Sequence, residues 1–208
     1  MKPLYYNISP EVVAFSTRRE GGVGCGTYAT FNVNPFTGDN PLHVSRNLSI
    51  LADELGLDSE RIVIPRQIHG DKVAMADGSS SLEGVDAVVT QTPGLCVCVS
   101  TADCIPVLLY DPKRGAVAAI HAGWRGTVAD RVGHTVAFMQ KHCGTVPNVL
   151  RAVIGPGIGL QAFEVGDEVY DAFRLAGFPM ERMSCRKNKW HIDLWEANRW
   201  LLCNSGVE

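Results

Sequence analysis

Apolar residues along this chain fall mostly in short runs punctuated by Gly and Pro, a strand pattern, with a few stretches that switch to helical spacing. Residues 107–110 and 116–120 are two such runs, joined by an Asp-Pro-Lys-Arg-Gly turn, and they predict a pair of buried strands that return on one another. Further strands are predicted over 12–16, 61–68, 84–90, 95–100 and 150–154, and 28–33 reads as extended. Val44, Leu48, Leu51 and Leu55 form one helical stripe, opened by Asn40-Pro41 and closed by Gly56. A helix over 127–142 turns Val128, Val132, Thr135, Val136 and Met139 inward, leaves His134 and His142 on its surface and stops at Gly144. Val165, Val169 and Phe173 predict another helix, with Asp167 and Glu168 placed to suit its dipole. Asp193 caps a last helix running through Leu202. The polar stretch 77–84 reads as a loop and the basic stretch 182–189 as a loop or an edge. Strands and helices do not alternate steadily. The fold class expected is therefore α+β, with mixed, largely antiparallel β-sheets and flanking helices.

Composition narrows the function classes. At 208 residues and 46% hydrophobic, the chain can bury a core as a single domain over residues 1–208. A net charge of −3 and a pI near 6.1 give no electrostatic footprint for nucleic acid. The first residues lack the charged and apolar regions of a signal peptide, and no apolar run reaches membrane-spanning length. The expected setting is cytoplasmic, without membrane or nucleic-acid partners. Seven scattered cysteines, an odd number, read as reduced thiols. Cys96 and Cys98 alternate along 95–100 and so share one strand face, as packing residues or, in the alternative, a metal pair.

The candidate chemistry sits at the ends of the central strand pair. Thr-Ala-Asp-Cys leads into the first strand and ends at Cys104; the second runs out into His121-Ala-Gly-Trp-Arg-Gly. A hairpin return brings Cys104 towards His121, which supports either an imidazole-activated thiolate nucleophile or a soft metal site. The best third ligand is His69, in Gln67-Ile-His-Gly70, and two His with one Cys leave a fourth position open for water or substrate. The glycines of 22–26 and 155–159 lack the strand-to-helix context of a dinucleotide fingerprint.

Taken together, Ser16-Thr-Arg18, Phe31-Asn-Val33, Gln67-Ile-His-Gly70, Thr101-Ala-Asp-Cys-Ile-Pro106, His121-Ala-Gly-Trp-Arg-Gly126 and Phe163-Glu-Val-Gly166 resemble the laccase-domain family, also called the multicopper polyphenol oxidase or peptidoglycan editing factor family. The resemblance covers nearly the whole chain. It implies a fold similar to the catalytic domain of the cytotoxic necrotizing factor deamidases, and a zinc site on His69, Cys104 and His121. It also implies phosphorolysis of adenosine, inosine, guanosine or methylthioadenosine and hydrolytic deamination of adenosine, so that purine nucleoside and phosphate are the expected partners. The older family name implies copper-dependent phenol oxidation instead. A Cys–His hydrolase and a non-catalytic zinc-binding adaptor are the remaining alternatives. Asp103 is the expected proton carrier or orienting carboxylate, and Arg18, Asn32, Gln67 and Arg125 are the expected substrate contacts. An oxygen-reducing copper cluster needs more histidines, and His43, His134, His142 and His191 show no ligand pattern. Two departures stand out. Family members usually carry Asn-Arg in the helix after Gly-Asp, whereas Asn47 is followed here by Leu48 and the arginine is Arg46. They also continue past the position of Gly206 with Cys-Thr and Tyr-Arg-Arg segments, and this chain is expected to lack that part of the pocket.

Overall fold

The computed structural model describes residues 1–78 and 81–207; Ser79 and Ser80, inside the loop expected over 77–84, lie outside the described residues, as does Glu208. In chain order the first elements are β1 (Leu4–Tyr6), β2 (Ala14–Ser16), α1 (Pro41–Leu55), β3 (Ile62–Val63), β4 (Val73–Met75), β5 (Ala87–Thr90) and β6 (Cys96–Val97). Then follow β7 (Ile105–Asp111), β8 (Ala116–Ala122), α2 (Trp124–Val128), α3 (Arg131–Cys143), β9 (Arg151–Ile154) and β10 (Glu164–Val165). The last are α4 (Asp167–Leu175), α5 (Met180–Met183), β11 (Ser184–Arg186), β12 (Trp190–Ile192) and α6 (Leu194–Asn204). The main sheet has five strands in the order β4-β5-β8-β7-β9, parallel at β4/β5 and antiparallel at its other pairings. The expected α+β class with mixed, largely antiparallel sheets is the class found.

The β7/β8 hairpin is the centre of that sheet. Its turn is held by Asp111, whose buried carboxylate accepts from the amides of Lys113 and Arg114 at 2.8 and 3.1 Å, while Gly115 takes a left-handed φ of 64°. Alternation then sorts the side chains. Ile105, Val107, Leu109, Ala118, Ile120 and Ala122 point to one face and pack with Val132, Val136 and Met139 of α3 and Leu194, Ala197 and Leu201 of α6. The small alanines of β8 let the helices sit close. His121 belongs to the other face, so the same period that builds the core delivers an imidazole to the far side of the sheet.

Helix α1 carries a smaller core of Leu51 and Ala52 with Phe31 and Ile62. Its caps are as the sequence indicates: the Asn40 side chain accepts from the Leu42 amide at 3.0 Å, and Gly56 closes the helix in the left-handed region. Arg46 is exposed. Its neighbour Asn47 is fully buried and acts as a clamp. Its carbonyl accepts from the Val23 amide at 2.9 Å, and its amide donates to the carbonyls of Thr30 and Asn32 at 3.2 and 2.9 Å.

Several expected elements change in extent. The helix expected over 127–142 is two helices, α2 and α3, because Asp130 adopts a left-handed φ of 53° and caps α3 by accepting from the Gly133 amide at 3.1 Å. The strand expected over 61–68 shrinks to β3, which pairs in parallel with an equally short β6. Beyond it, side-chain bonds from Gln67 replace the ladder. Residues 28–33 form no strand, and their backbone is tied to Arg19 and Gly24 instead. The helix expected from Val165 starts at Asp167, with Val165 in β10. The basic stretch supplies β11, an edge strand, and Asp193 caps α6 by accepting from the Glu196 amide at 3.0 Å.

Removing the Asn47 amide takes three part-buried hydrogen bonds from the Val23 amide and the Thr30 and Asn32 carbonyls and empties a fully buried position. Asn47→Ala is expected to lower unfolding stability by about 2–3 kcal/mol. A urea titration reads this as a lower midpoint at unchanged slope, and a midpoint equal to the parent's would contradict it.

Candidate metal centre

The register of the main sheet builds this site. Ala87 pairs with Ile120, and the His121 amide donates to the Asp86 carbonyl at 2.8 Å, so Asp86 lies directly across from His121. Asp86 is fully buried. Its Oδ1 lies 2.7 Å from His121 Nδ1 and accepts from the His69 amide at 3.0 Å; its Oδ2 accepts from the amides of Ile68 and Gly70 at 3.2 and 2.8 Å. A carboxylate offers about four lone-pair positions, and here all are used. Burial opposes the charged form, but His121 and the converging amides outweigh it and hold the Asp86 carboxyl below its usual value.

Three successive amides can converge on one carboxylate because His69 takes a left-handed φ of 60°. That conformation is uncommon outside glycine, although His tolerates it better than most residues. The segment is also fixed from the other side. Gln67 Nε2 donates to the Ser100 carbonyl at 2.8 Å, and its Oε1 accepts from the Ser100 amide at 2.7 Å. This two-point clamp ties the His69 loop to the loop that ends at Cys104. Cys104 in turn precedes β7, whose first residue Ile105 pairs with Ala122, so the thiol arrives beside Gly123 at the end of β8.

His69, Cys104 and His121 therefore meet, as the hairpin return requires. Their ligating atoms all lie within 4.8 Å of one another, Cys104 Sγ is 3.8 Å from His69 Nε2, and the two imidazoles pack edge to face at 4.6 Å. Gly123 leaves the room: a Cβ there would stand 2.9 Å from Cys104 Sγ and 3.3 Å from His69. His121 is buried, Cys104 is half-buried and His69 is exposed, so the cluster is closed at its base and open at its rim. With Nδ1 held by Asp86, His121 presents Nε2 to the cluster, the arrangement that fixes the tautomer of metal-bound histidines. One thiolate and two imidazoles with a free side fit zinc, and equally a single copper.

The site carries a second buried charge. Arg131, the first residue of α3, is fully buried and donates from Nη1 to the His121 carbonyl, while Gly126 leaves space for the guanidinium. Burial opposes its charge, and Asp86 and Asp71 favour it. Burial works against protonation of His121 too, yet Asp86 and Cys104 hold that imidazole above its ordinary value of 6.5. His69 lies lower, through burial and the neighbouring charge of His121.

The other expected site residues divide. Asp103 is exposed next to Cys104, and the carboxylate bonded to a cluster histidine is that of Asp86, which sequence reading passed over. A single acidic residue inside the apolar run Val85-Asp-Ala-Val-Val89 was the available signal. Gln67 spends both polar ends on the Ser100 backbone. Asn32 donates to Thr37 and Asp39 at 2.9 and 3.0 Å and accepts from the Asn34 amide, all within its own loop. Arg125 is exposed one turn beyond the cluster, its guanidinium 4.2 Å from the Trp124 ring, and Arg18 is exposed after β2. His43, His134, His142 and His191 stand on α1, α3 and β12, outside the cluster.

The family model described as multi-copper polyphenol oxidoreductase laccase matches residues 13–208. The chain belongs to that family. Among its relatives, a purine nucleoside phosphorylase of Bacteroides thetaiotaomicron is 49% identical over 98% of this chain and 78% of its own length. Adenosine deaminase RL5, from an unknown prokaryotic organism, is 40% identical over 94% of this chain and 79% of its own. The crystal structure of YlmD from Geobacillus stearothermophilus superposes with a TM-score of 0.90 at 30% identity, covering 98% of this chain and 80% of that one. The family fold and the His-Cys-His cluster thus occur together in this chain.

Asp86→Asn puts an amide N–H2 against backbone donors and releases the His121 tautomer. Metal affinity, titrated by calorimetry, is expected to fall about 10–100-fold. Unchanged affinity would remove Asp86 from the centre. Acid acts on the same atoms: imidazolium cannot ligate, and His121 titrates above 6.5. Affinity should therefore drop as pH falls through that range, with protons released on binding near neutrality. A flat pH profile would contradict the ligand assignment.

Proposed function

We propose that this chain is a zinc-dependent purine nucleoside enzyme of the cytoplasm, which cleaves adenosine, inosine, guanosine or methylthioadenosine with phosphate and deaminates adenosine with water. The observation that carries the reading is the open-rimmed His69–Cys104–His121 cluster seated on Asp86. The purine nucleoside phosphorylase and adenosine deaminase names of relatives at 49% and 40% identity supply the substrate class.

His69 Nε2, Cys104 Sγ and His121 Nε2 would hold the metal, which when bound supplies Lewis acidity beside the open position. The remaining work falls to the chain. Asp86 keeps His121 Nδ1 protonated and holds the His69 loop, so the ligands need no rearrangement as substrate arrives. The exposed Arg125, braced on Trp124, and Arg18 offer guanidinium forks that match phosphate oxygens. In this reading Asp103, next to Cys104 in the chain and open to solvent, passes a proton at its carboxyl oxygen. Phosphorolysis needs that proton on the departing purine; deamination needs it on the departing ammonia. Gln67 and Asn32 act in this reading by positioning their loops.

The family description keeps copper-dependent phenol oxidation as a second reading. His₂Cys suits one copper. Among the described residues, this trio is the one group of three such side chains near enough to share an ion, whereas oxygen reduction by several coppers needs further ligands.

Zinc-loaded protein incubated with adenosine should yield adenine when phosphate is present and inosine when it is not, and Cys104→Ala should abolish both products on chromatography. Folded, metal-loaded protein that forms neither would overturn the reading, and phenol turnover by the copper-loaded form alone would replace it.

A further inference from the structure

A cleft of about 1110 Å³ lies behind the Cys104 loop, bordered by Leu51, Ile64, Cys96, Cys98, Ser100 and Asp103 among others. Two cysteines in it are not used by the metal centre. Cys96 and Cys98 stand on one face of β6 and its continuation, both half-buried thiols, with Sγ atoms 3.5 Å apart. At roughly 3.3 Å per residue, alternate strand positions lie about 6.6 Å apart. Disulfides span Cα separations up to about 6.8 Å. A bond between these sulfurs is therefore within reach but at the long end, and a strained link of that kind is readily reduced again. The S–H···S contact favours ionisation of one thiol of the pair against the effect of burial, and the partner that keeps its proton is pushed up.

The pair is wired to the metal centre through the backbone. The Cys98 amide donates to the Val63 carbonyl at 2.9 Å, and two residues on, Ser100 makes both bonds of the Gln67 clamp. Shortening the 96–98 span would pull this segment away from its parallel neighbour and from Gln67.

We propose that Cys96 and Cys98 are a modification site, a dithiol that a peroxide converts into an intrastrand disulfide and that thereby loosens the Gln67–Ser100 clamp. The thiolate of the pair attacks one peroxide oxygen; an S–O bond forms, the O–O bond breaks and the released hydroxide takes a proton to become water. The second sulfur then attacks the sulfenic sulfur, forms the S–S bond and expels the oxygen as a second water with its own proton. Two thiols lose two electrons and hydrogen peroxide gains them.

Reduced protein treated with hydrogen peroxide and mapped by mass spectrometry tests this. The peptide carrying Cys96, Cys98 and Cys104 should lose the mass of two hydrogens and regain it with dithiothreitol. The loss should persist in Cys104→Ala and vanish in Cys96→Ser and Cys98→Ser. Hydrogen exchange at the Ser100 amide should quicken in the oxidised form. Oxidation that stops at a sulfinic acid, or a bridge that uses Cys104, would overturn the site. A 96–98 bridge with unchanged Ser100 exchange would overturn its coupling to the clamp.

Discussion

One buried carboxylate organises the His69–Cys104–His121 cluster. Asp86 has no solvent to share its charge, and it is compensated by the His121 ring, three amides of the His69 loop and the more distant guanidinium of Arg131. Removing one partner from a buried charge costs about 3–5 kcal/mol, so these groups are held together. The result is that two cluster histidines from distant parts of the chain are set by a single residue. His121 is set through its ring and His69 through its backbone. The left-handed turn at His69 is the local strain that this arrangement sustains.

The sheet makes the carboxylate available. Asp86 and His121 face each other because β5 and β8 pair in one register, and a slip of one residue in either strand would put the two on opposite faces. The alternating core of β7 and β8 against α3 and α6 fixes that register by burying one set of side chains completely. Cys104 then needs only to precede β7, and Gly123 to follow β8, for the thiol and imidazoles to converge. Core packing and site geometry rest on the same period of two.

How much of this was legible in the sequence follows from range. Local signals were readable: the Asp111 to Gly115 turn, the caps at Asn40, Gly56 and Asp193, and the three cluster residues flanking predicted strand ends. The α+β class followed from turn lengths. Long-range pairing was not readable. Nothing near Asp86 in the chain announces that β5 will lie beside β8, so the exposed Asp103, adjacent to Cys104, drew the orienting role. Asn47 was given no role, and Gln67 was read as a substrate contact, for a related reason. Their amides replace backbone hydrogen bonds between segments 15 to 33 residues away, and no local pattern encodes that. The break at Asp130 was hidden because apolar spacing continues across it. Only the left-handed backbone there shows that α3 starts afresh and buries Arg131 at its first position.

The central claim is that Asp86 holds His121 as the Nδ1–H tautomer, with Nε2 turned to the metal. Nitrogen-15 NMR of the histidine side chains in the zinc-loaded protein measures this directly. The account predicts a protonated His121 Nδ1 that stays hydrogen-bonded across neutral pH, with Nε2 carrying the metal-bound shift. A His121 that ligates through Nδ1, or that exchanges between tautomers, would contradict it.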